Sequence, residues 1–117
     1  MFEKSCIFCK IVQKEINGKL VSENEHIVVI EDIAPKAPIH YLLIPKKHIV
    51  NVGQAQDTEL FYGFEIIKMA RELSKTLPAP AAFNLVSNHG AAAGQSVFHW
   101  HCHFLSGRNI YEGGFKL

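Results

Sequence analysis

Three histidines alternate with bulky residues near the C-terminal end of this 117-residue chain. His99, His101 and His103 are separated by Trp100 and Cys102. In a β-strand the three imidazoles would share one face, about 7 Å between successive positions, while the intervening residues would face the core. Three imidazoles make a poor structural surface, because each has two ring nitrogens that need partners. Two chemistries suit such a row: chelation of a metal such as zinc, or attack by one imidazole on phosphorus as a covalent nucleophile.

A run of small residues leads directly into the histidines. Residues 88–96 read Asn-His-Gly-Ala-Ala-Ala-Gly-Gln-Ser. Small side chains let backbone N–H groups approach an anion closely, and Gln95 and Ser96 add side-chain donors. A phosphate-binding loop beside a nucleophile favours phosphoryl transfer as the chemistry of the histidines.

Cys6 and Cys9 form a Cys-x-x-Cys motif. Alone, the motif is compatible with half of a zinc site, a redox pair or two buried thiols. No second such motif follows, which excludes a zinc ribbon, and the flanking residues do not resemble a thioredoxin site. In the predicted strand Cys102 points away from the histidine face, and we expect it in the core.

Two helices and five strands are predicted to position these residues. Apolar spacing predicts a short helix from Cys6 to Glu15 behind a Ser5 cap, and one long helix from Asp57 to Lys75. Because strands and helices are segregated along the chain, we expect an α+β fold with an antiparallel sheet. Apolar and β-branched runs predict strands at residues 19–23, 25–32, 39–44, 82–87 and 97–105.

The long helix is apolar on more than one side. One arc can pack on the sheet, and the remainder needs either further burial within the same domain or a second subunit. A chain of this length has little else to bury that surface, so we predict a homodimer. The apolar residues are Leu60, Phe61, Tyr62, Phe64, Ile66, Ile67, Met69, Ala70 and Leu73.

Length and composition limit the classes of protein. We expect one domain over residues 1–117, the usual size of a single domain. With 48% hydrophobic and 20% charged residues, the composition is that of a globular protein and excludes a disordered one. A formal charge of +1 disfavours nucleic-acid or anionic-membrane partners, and no apolar stretch is long enough to span a membrane. An odd number of cysteines and the lack of a secretory signal pattern favour a cytoplasmic setting.

Together these motifs resemble the histidine-triad (HIT) family, whose hallmark is His-φ-His-φ-His-φ-φ with φ apolar. Residues 99–105 match the hallmark in full, and the loop 88–96 also resembles this family. Two further segments resemble it. One is Asp-Ile-x-Pro at residues 32–35, followed by His40, and the other is Ile-Pro-Lys-Lys-His at residues 44–48. The resemblance spans about residues 6–114 and is greatest to the Hint branch, the purine nucleoside phosphoramidases. It implies a five-stranded antiparallel sheet, continuous with that of a second protomer in a homodimer.

The resemblance implies a role for each matched residue. His101 would attack phosphorus through its Nε2 and carry a nucleotidyl group. Ser96 would bond the phosphate or the leaving amine, His103 would contact the phosphate, and His40 would lie beside the triad. The other implied residues bind the nucleotide: Asp32 accepts from the ribose hydroxyls, Gly94 and Gln95 contact the phosphate, Asn88 supports the loop, and Phe8, Ile16, Ile30, Ile33 and Leu42 wall the base pocket.

The implied activity is hydrolysis of the P–N bond of purine nucleoside 5′-phosphoramidates, of the AMP-lysine or AMP-NH2 type. It would proceed through a nucleotidyl-histidine intermediate and need no metal for catalysis. The alternatives are a dinucleoside polyphosphate hydrolase or nucleotidyl transferase of the same superfamily, a nucleotide-binding adaptor with little catalysis, and a metalloprotein that uses the three histidines as ligands. In some family members a similar Cys-x-x-Cys joins two histidines at a structural zinc, and the matching residues here are Cys6, Cys9, His48 and His99.

Overall fold

The protein folds as a five-stranded antiparallel sheet with one long and one short helix, as predicted. The computed structural model describes residues 3–117, so the first two residues of the predicted domain lie outside the described part. No helix in residues 3–117 is long and apolar enough to cross a membrane. The elements are α1 (Ile7–Val12), β1 (Leu20–Glu23), β2 (Ile27–Glu31), β3 (Ile39–Pro45), α2 (Phe61–Ser74), β4 (Phe83–Val86) and β5 (Cys102–Ser106).

The strands lie in the order β1-β2-β3-β5-β4, and both faces of the sheet are covered at its centre. Ile27 and Val29 of β2 pack with α2 on one face. Val28 and Ile30 pack with Phe8 of α1 on the other. Burial on both faces explains why this strand is a continuous run of β-branched residues rather than an alternating one.

The long helix buries one side and exposes another. Ile66, Met69, Ala70 and Leu73 pack on the sheet, which confirms that one arc of the helix faces it. The exposed side of the same helix carries large apolar side chains, with Phe64 66% and Ile67 63% exposed. Phe61 and the preceding Leu60 are also exposed.

Both helices are shorter than predicted. The N-cap of α1 is Cys6 rather than Ser5, because the Cys6 Sγ accepts the N–H of Cys9. The long helix begins at Phe61 rather than at residue 57, because residues 57–59 form a separate 3-10 turn. The backbone N–H of Gln56 closes that turn by donating to the Glu59 carboxylate at 2.8 Å.

The prediction of a fifth strand over residues 97–105 is wrong for residues 97–101, since β5 begins only at Cys102. On one side its partner β3 ends at Pro45, which has no N–H to continue the ladder. On the other side β4 ends at Val86, opposite His103. Residues 97–99 therefore have no strand opposite them, and Trp100, which lies opposite Pro45, donates its N–H to the carbonyl of Ile49 instead.

Candidate active site

The three histidines remain on one side of the sheet although only His103 lies in a strand. Trp100 and Cys102 join the core beneath α2, as expected. Phe8 lies on the sheet face away from α2, the same face as the histidines. Its ring is 5.9 Å from that of His99 and 5.1 Å from that of His101. The His101 and His103 rings are 5.2 Å apart. The histidines do not form an even row along a strand, however, because His99 turns toward the cysteines while the other two face each other.

The hydrogen bond of His101 determines which of its nitrogens can act as a nucleophile. Nδ1 lies 2.8 Å from the carbonyl oxygen of His99. A carbonyl only accepts, so Nδ1 carries the proton and the lone pair of the neutral imidazole is on Nε2. Burial of the side chain lowers the pKa of His101, which favours that neutral form.

A chain of hydrogen bonds fixes the tautomers of His40 and His103. The backbone N–H of Lys36 donates to Nδ1 of His40 at 3.0 Å, so the His40 proton is on Nε2. That Nε2 lies 2.9 Å from Nδ1 of His103 and donates to it, which leaves the His103 proton on its own Nε2. Burial, helped by the neighbouring His101 and His40, lowers the pKa of His103 to about 4, so His103 is a neutral donor.

Asp32 lies beside this chain of histidines. Its Oδ1 accepts the backbone N–H of Ala34 at 2.8 Å, and its Oδ2 is 3.4 Å from Nε2 of His40. Asp32, His40 and His103 are close enough to one another to be considered as metal ligands. A metal on Nε2 of His40 would require the proton on Nδ1, where it would face the Lys36 N–H. The hydrogen bonds therefore favour a donor chain over a metal centre.

The 88–96 loop is closed by Gln95, which bonds to Gly90 through both its side chain and its backbone N–H. Gly90 and Gly94 have φ of +103° and +96°, a conformation that favours glycine. Gln95 is 4% exposed; its Oε1 accepts the Gly90 N–H at 2.8 Å and its Nε2 donates to the Val97 carbonyl at 3.1 Å. The amide of Gln95 thus bonds its own loop instead of lying open to a phosphate. Within residues 3–117, the N–H groups of Ser96 and Val97 donate to no protein acceptor.

Cys6, Cys9, His48 and His99 converge as the resemblance implied. The Cys9 Sγ lies 3.2 Å from Nδ1 of His48 and 3.5 Å from Nδ1 of His99, the Cys6 Sγ lies 3.3 Å from Nδ1 of His99, and the two imidazole nitrogens are 3.2 Å apart. Ligands of a tetrahedral zinc are separated by roughly 3.3–3.8 Å, given bonds of about 2.3 Å to sulfur and 2.0–2.1 Å to nitrogen. The donor set and its spacing fit zinc.

The tautomer of His99 also suits a metal. Nε2 of His99 donates to the carbonyl of Pro45 at 2.7 Å, so its Nδ1 lone pair faces the cysteines. Burial lowers the pKa of His99 to about 4, so its imidazole is a neutral ligand. Burial raises the pKa of Cys9 to about 11, so zinc binding would have to displace the proton of this thiol. Two thiolates would balance the charge of a zinc ion, which leaves a neutral buried centre.

The side chains expected around the base are only partly brought together. Phe8, Ile30 and Leu42 are buried on the histidine face. Ile16, with Ile30, lines a cavity of about 210 Å³ between α1 and the sheet. Ile33 is fully exposed and lines none of the described cavities. Asn88 is half-buried at the start of the loop and Ser96 is exposed at its end.

The sequence did not indicate the groups that set the histidine tautomers. The carbonyls of His99 and Pro45 and the N–H of Lys36 are backbone atoms, so no residue type marks them. The only available signal was the proximity of these residues to the predicted site.

A family model described as the HIT domain matches residues 13–110. An uncharacterized HIT-like protein of Mycoplasma genitalium is 45% identical over 102 residues, covering 86% of this chain and 72% of that protein. A HIT family hydrolase from Clostridium thermocellum is 38% identical with a TM-score of 0.87, covering 98% of both chains. A histidine triad nucleotide-binding protein from Candida albicans is 33% identical with a TM-score of 0.74, covering 86% of this chain and 73% of that one. The matched domain, these identities and the arrangement of the histidines show that the chain belongs to the HIT family.

Proposed function

We propose that this protein hydrolyses the P–N bond of purine nucleoside 5′-phosphoramidates of the AMP-NH2 or AMP-lysine type, as in the Hint branch of the family. One observation supports this most: His101 presents an unprotonated Nε2, held by the His99 carbonyl, beside a loop with open N–H groups. The names of two similar structures, a HIT family hydrolase and a nucleotide-binding protein, agree with such an activity.

The proposed reaction has two steps. In the first, Nε2 of His101 bonds to phosphorus as the P–N bond breaks, and the leaving amine takes a proton from solvent near the exposed Ser96. The nucleotidyl-imidazole is cationic, and its Nδ1–H remains on the His99 carbonyl, which stabilises that charge. In the second step water displaces the histidine and gives up one proton to solvent, which releases AMP and the neutral imidazole.

The loop and the donor chain stabilise charge in this scheme. The N–H groups of Ser96 and Val97 and the Nε2–H of His103 donate to the phosphoryl oxygens as negative charge develops there. His103 acts as a hydrogen-bond donor rather than as a net proton source. Its Nδ1 already accepts from His40, whose other nitrogen accepts the Lys36 N–H, so this chain keeps the proton of His103 on Nε2.

The proposal assigns the nucleoside and the metal to separate places. Phe8, Ile30 and Leu42 offer apolar surface for a purine on the histidine face. Zinc, held by Cys6, Cys9 and the two histidines of the cluster, would tie α1 to the catalytic segment and take no part in the chemistry.

Turnover of a fluorogenic adenosine phosphoramidate tests the function. We expect hydrolysis of this substrate and much slower hydrolysis of a diadenosine polyphosphate. The opposite ranking would favour the polyphosphate hydrolase alternative. Tight AMP binding without turnover of either substrate would favour an adaptor.

We expect Asp32 to select ribonucleotides. Its Oδ1 is used by Ala34 while its Oδ2 has only a long contact to His40, so Oδ2 can accept from a ribose hydroxyl. A 2′-deoxy substrate leaves the carboxylate short of a donor, which costs roughly 1–3 kcal/mol and should lower kcat/KM about tenfold or more. Asp32→Asn keeps the turn through Oδ1 and should reduce this discrimination. Equal rates on ribo- and deoxyribo-substrates in the wild type would limit Asp32 to holding its turn.

We also expect a homodimer that covers the exposed side of α2 and extends the sheet. Phe64 and Ile67 are mostly exposed, and β4 is an edge strand whose Phe83 and Leu85 are over a third exposed. Light scattering should give twice the 13.1 kDa chain mass, and Ile67→Glu should shift the protein toward monomer. Gln13→Glu, on the other side of the molecule, should remain dimeric. A wild-type monomer at micromolar concentration would contradict the prediction.

A further inference from the structure

The segment 49–52 runs beside the 88–96 loop and bonds to that part of the chain repeatedly. The carbonyl of its first residue accepts the Trp100 N–H at 2.6 Å. The carbonyl of Val50 accepts from Nε2 of Gln95 at 2.7 Å. The N–H of Val52 donates to Nδ1 of His89 at 3.0 Å. These groups of the segment are backbone atoms, so any residue type could supply them.

Asn51 adds a contact that depends on its side chain. Its Nδ2 donates to Oε1 of Gln95 at 3.2 Å, and the residue is 7% exposed. A β-carbon at Gly53 would lie 3.1 Å from Oδ1 of Asn51, so the glycine leaves room for the amide. Within the described part of the chain, no other side chain of segment 49–52 hydrogen-bonds to the loop.

With Asn51 in place, the hydrogen-bonding capacity of the Gln95 amide is filled. The oxygen accepts from Gly90 and Asn51, and the nitrogen donates to Val50 and Val97. Gln95 therefore joins Gly90 within the loop to Val97 just after it, and joins both to segment 49–52. The open N–H groups at positions 96 and 97 follow it directly, so a shift of Gln95 would displace them.

We propose that Asn51 is a positioning residue, which acts through Gln95 to aim the loop N–H groups at the phosphate of a bound nucleotide. This inference rests on the proposed function, because it concerns the phosphate of the same ligand. It predicts that losing the Asn51 amide weakens recognition of the phosphate and leaves recognition of the nucleoside unchanged.

Asn51→Leu removes the donor at similar volume. We expect its Kd for AMP to rise about tenfold, as for the loss of one buried hydrogen bond, while its Kd for adenosine stays within about twofold of wild type. Titration calorimetry measures both. Gln54→Leu is the matched control, because it removes an exposed amide from the same turn and should change neither constant. Asn51→Gln keeps an amide donor and should recover part of the lost AMP affinity.

Loop geometry is followed separately by amide hydrogen exchange at Gly90, whose N–H bonds to Gln95. We expect faster exchange at Gly90 in Asn51→Leu and no change in Gln54→Leu. A merely structural role would lower the melting temperature but leave the AMP-to-adenosine affinity ratio at its wild-type value. A folded Asn51→Leu with that ratio unchanged would overturn the inference.

The two proposals can fail separately. If the wild type binds AMP no more tightly than adenosine, the proposed function fails. The inference that Asn51 supports phosphate recognition then fails as well. If the wild type does prefer AMP but Asn51→Leu keeps both that preference and the slow exchange at Gly90, only the role of Asn51 is rejected.

Discussion

Replacing His101 with alanine should lower the rate of phosphoramidate hydrolysis by about a thousandfold or more, while AMP still binds. The reason is that Nε2 of His101 is the nitrogen that forms the covalent intermediate. No other triad histidine can replace it. The lone pair of His103 is on Nδ1 and accepts from His40, and the lone pair of His99 faces the cysteine cluster. Steady-state kinetics and AMP titration on the same preparation measure both effects.

The control for this variant is His26→Ala. His26 packs against Phe61 and Tyr62, away from the site, so its loss should leave kcat/KM near the wild-type value. His101→Gly opens a space into which added imidazole could diffuse and restore part of the rate. Near-wild-type turnover by His101→Ala would reject the covalent mechanism.

Removing the cysteine ligands should cost more in stability than any other change considered. We expect the wild type to contain about one zinc per chain, and the double variant Cys6→Ser/Cys9→Ser to contain none. Its melting temperature should fall by more than about 10 °C, because in a site of this kind the free energy of metal binding contributes to folding. The rate at low temperature should fall less, because His99 holds the nucleophile through its backbone carbonyl and not through the imidazole that would bind zinc.

Metal analysis, thermal unfolding and kinetics on the same samples test this prediction. Cys102→Ala is the control for metal content. Cys102 lies in the core beneath α2, so this variant should still bind zinc. Purified wild-type protein without metal, with both thiols of the motif freely titratable, would contradict a structural zinc. Loss of activity in proportion to loss of metal at low temperature would instead favour a catalytic metal.

Local sequence patterns predicted the elements whose buried positions recur at the regular spacing of a strand or a helix. The β-branched run of β2 gave a strand because both of its faces are covered, and α2 was found from its apolar spacing. The alternation around the histidines also placed Trp100 and Cys102 correctly in the core. It did so even though residues 99–101 form no strand.

What the sequence could not decide depended on atoms brought together from distant parts of the chain. β5 starts late because Pro45, opposite Trp100, has no N–H to extend the ladder and because β4 ends at Val86, opposite His103. Only the sheet register reveals this. Gln95 was predicted to face the phosphate, but its amide is used by Gly90, Val97 and segment 49–52.

The sequence by itself therefore determined the fold class, the family resemblance and which histidine stands in the middle of the triad. Only the tertiary structure decided which nitrogen of each histidine carries the proton. That choice is made by the carbonyls of His99 and Pro45 and by the N–H of Lys36. A backbone group has the same chemistry in every residue type except proline, so its position, and not its identity, sets the tautomer.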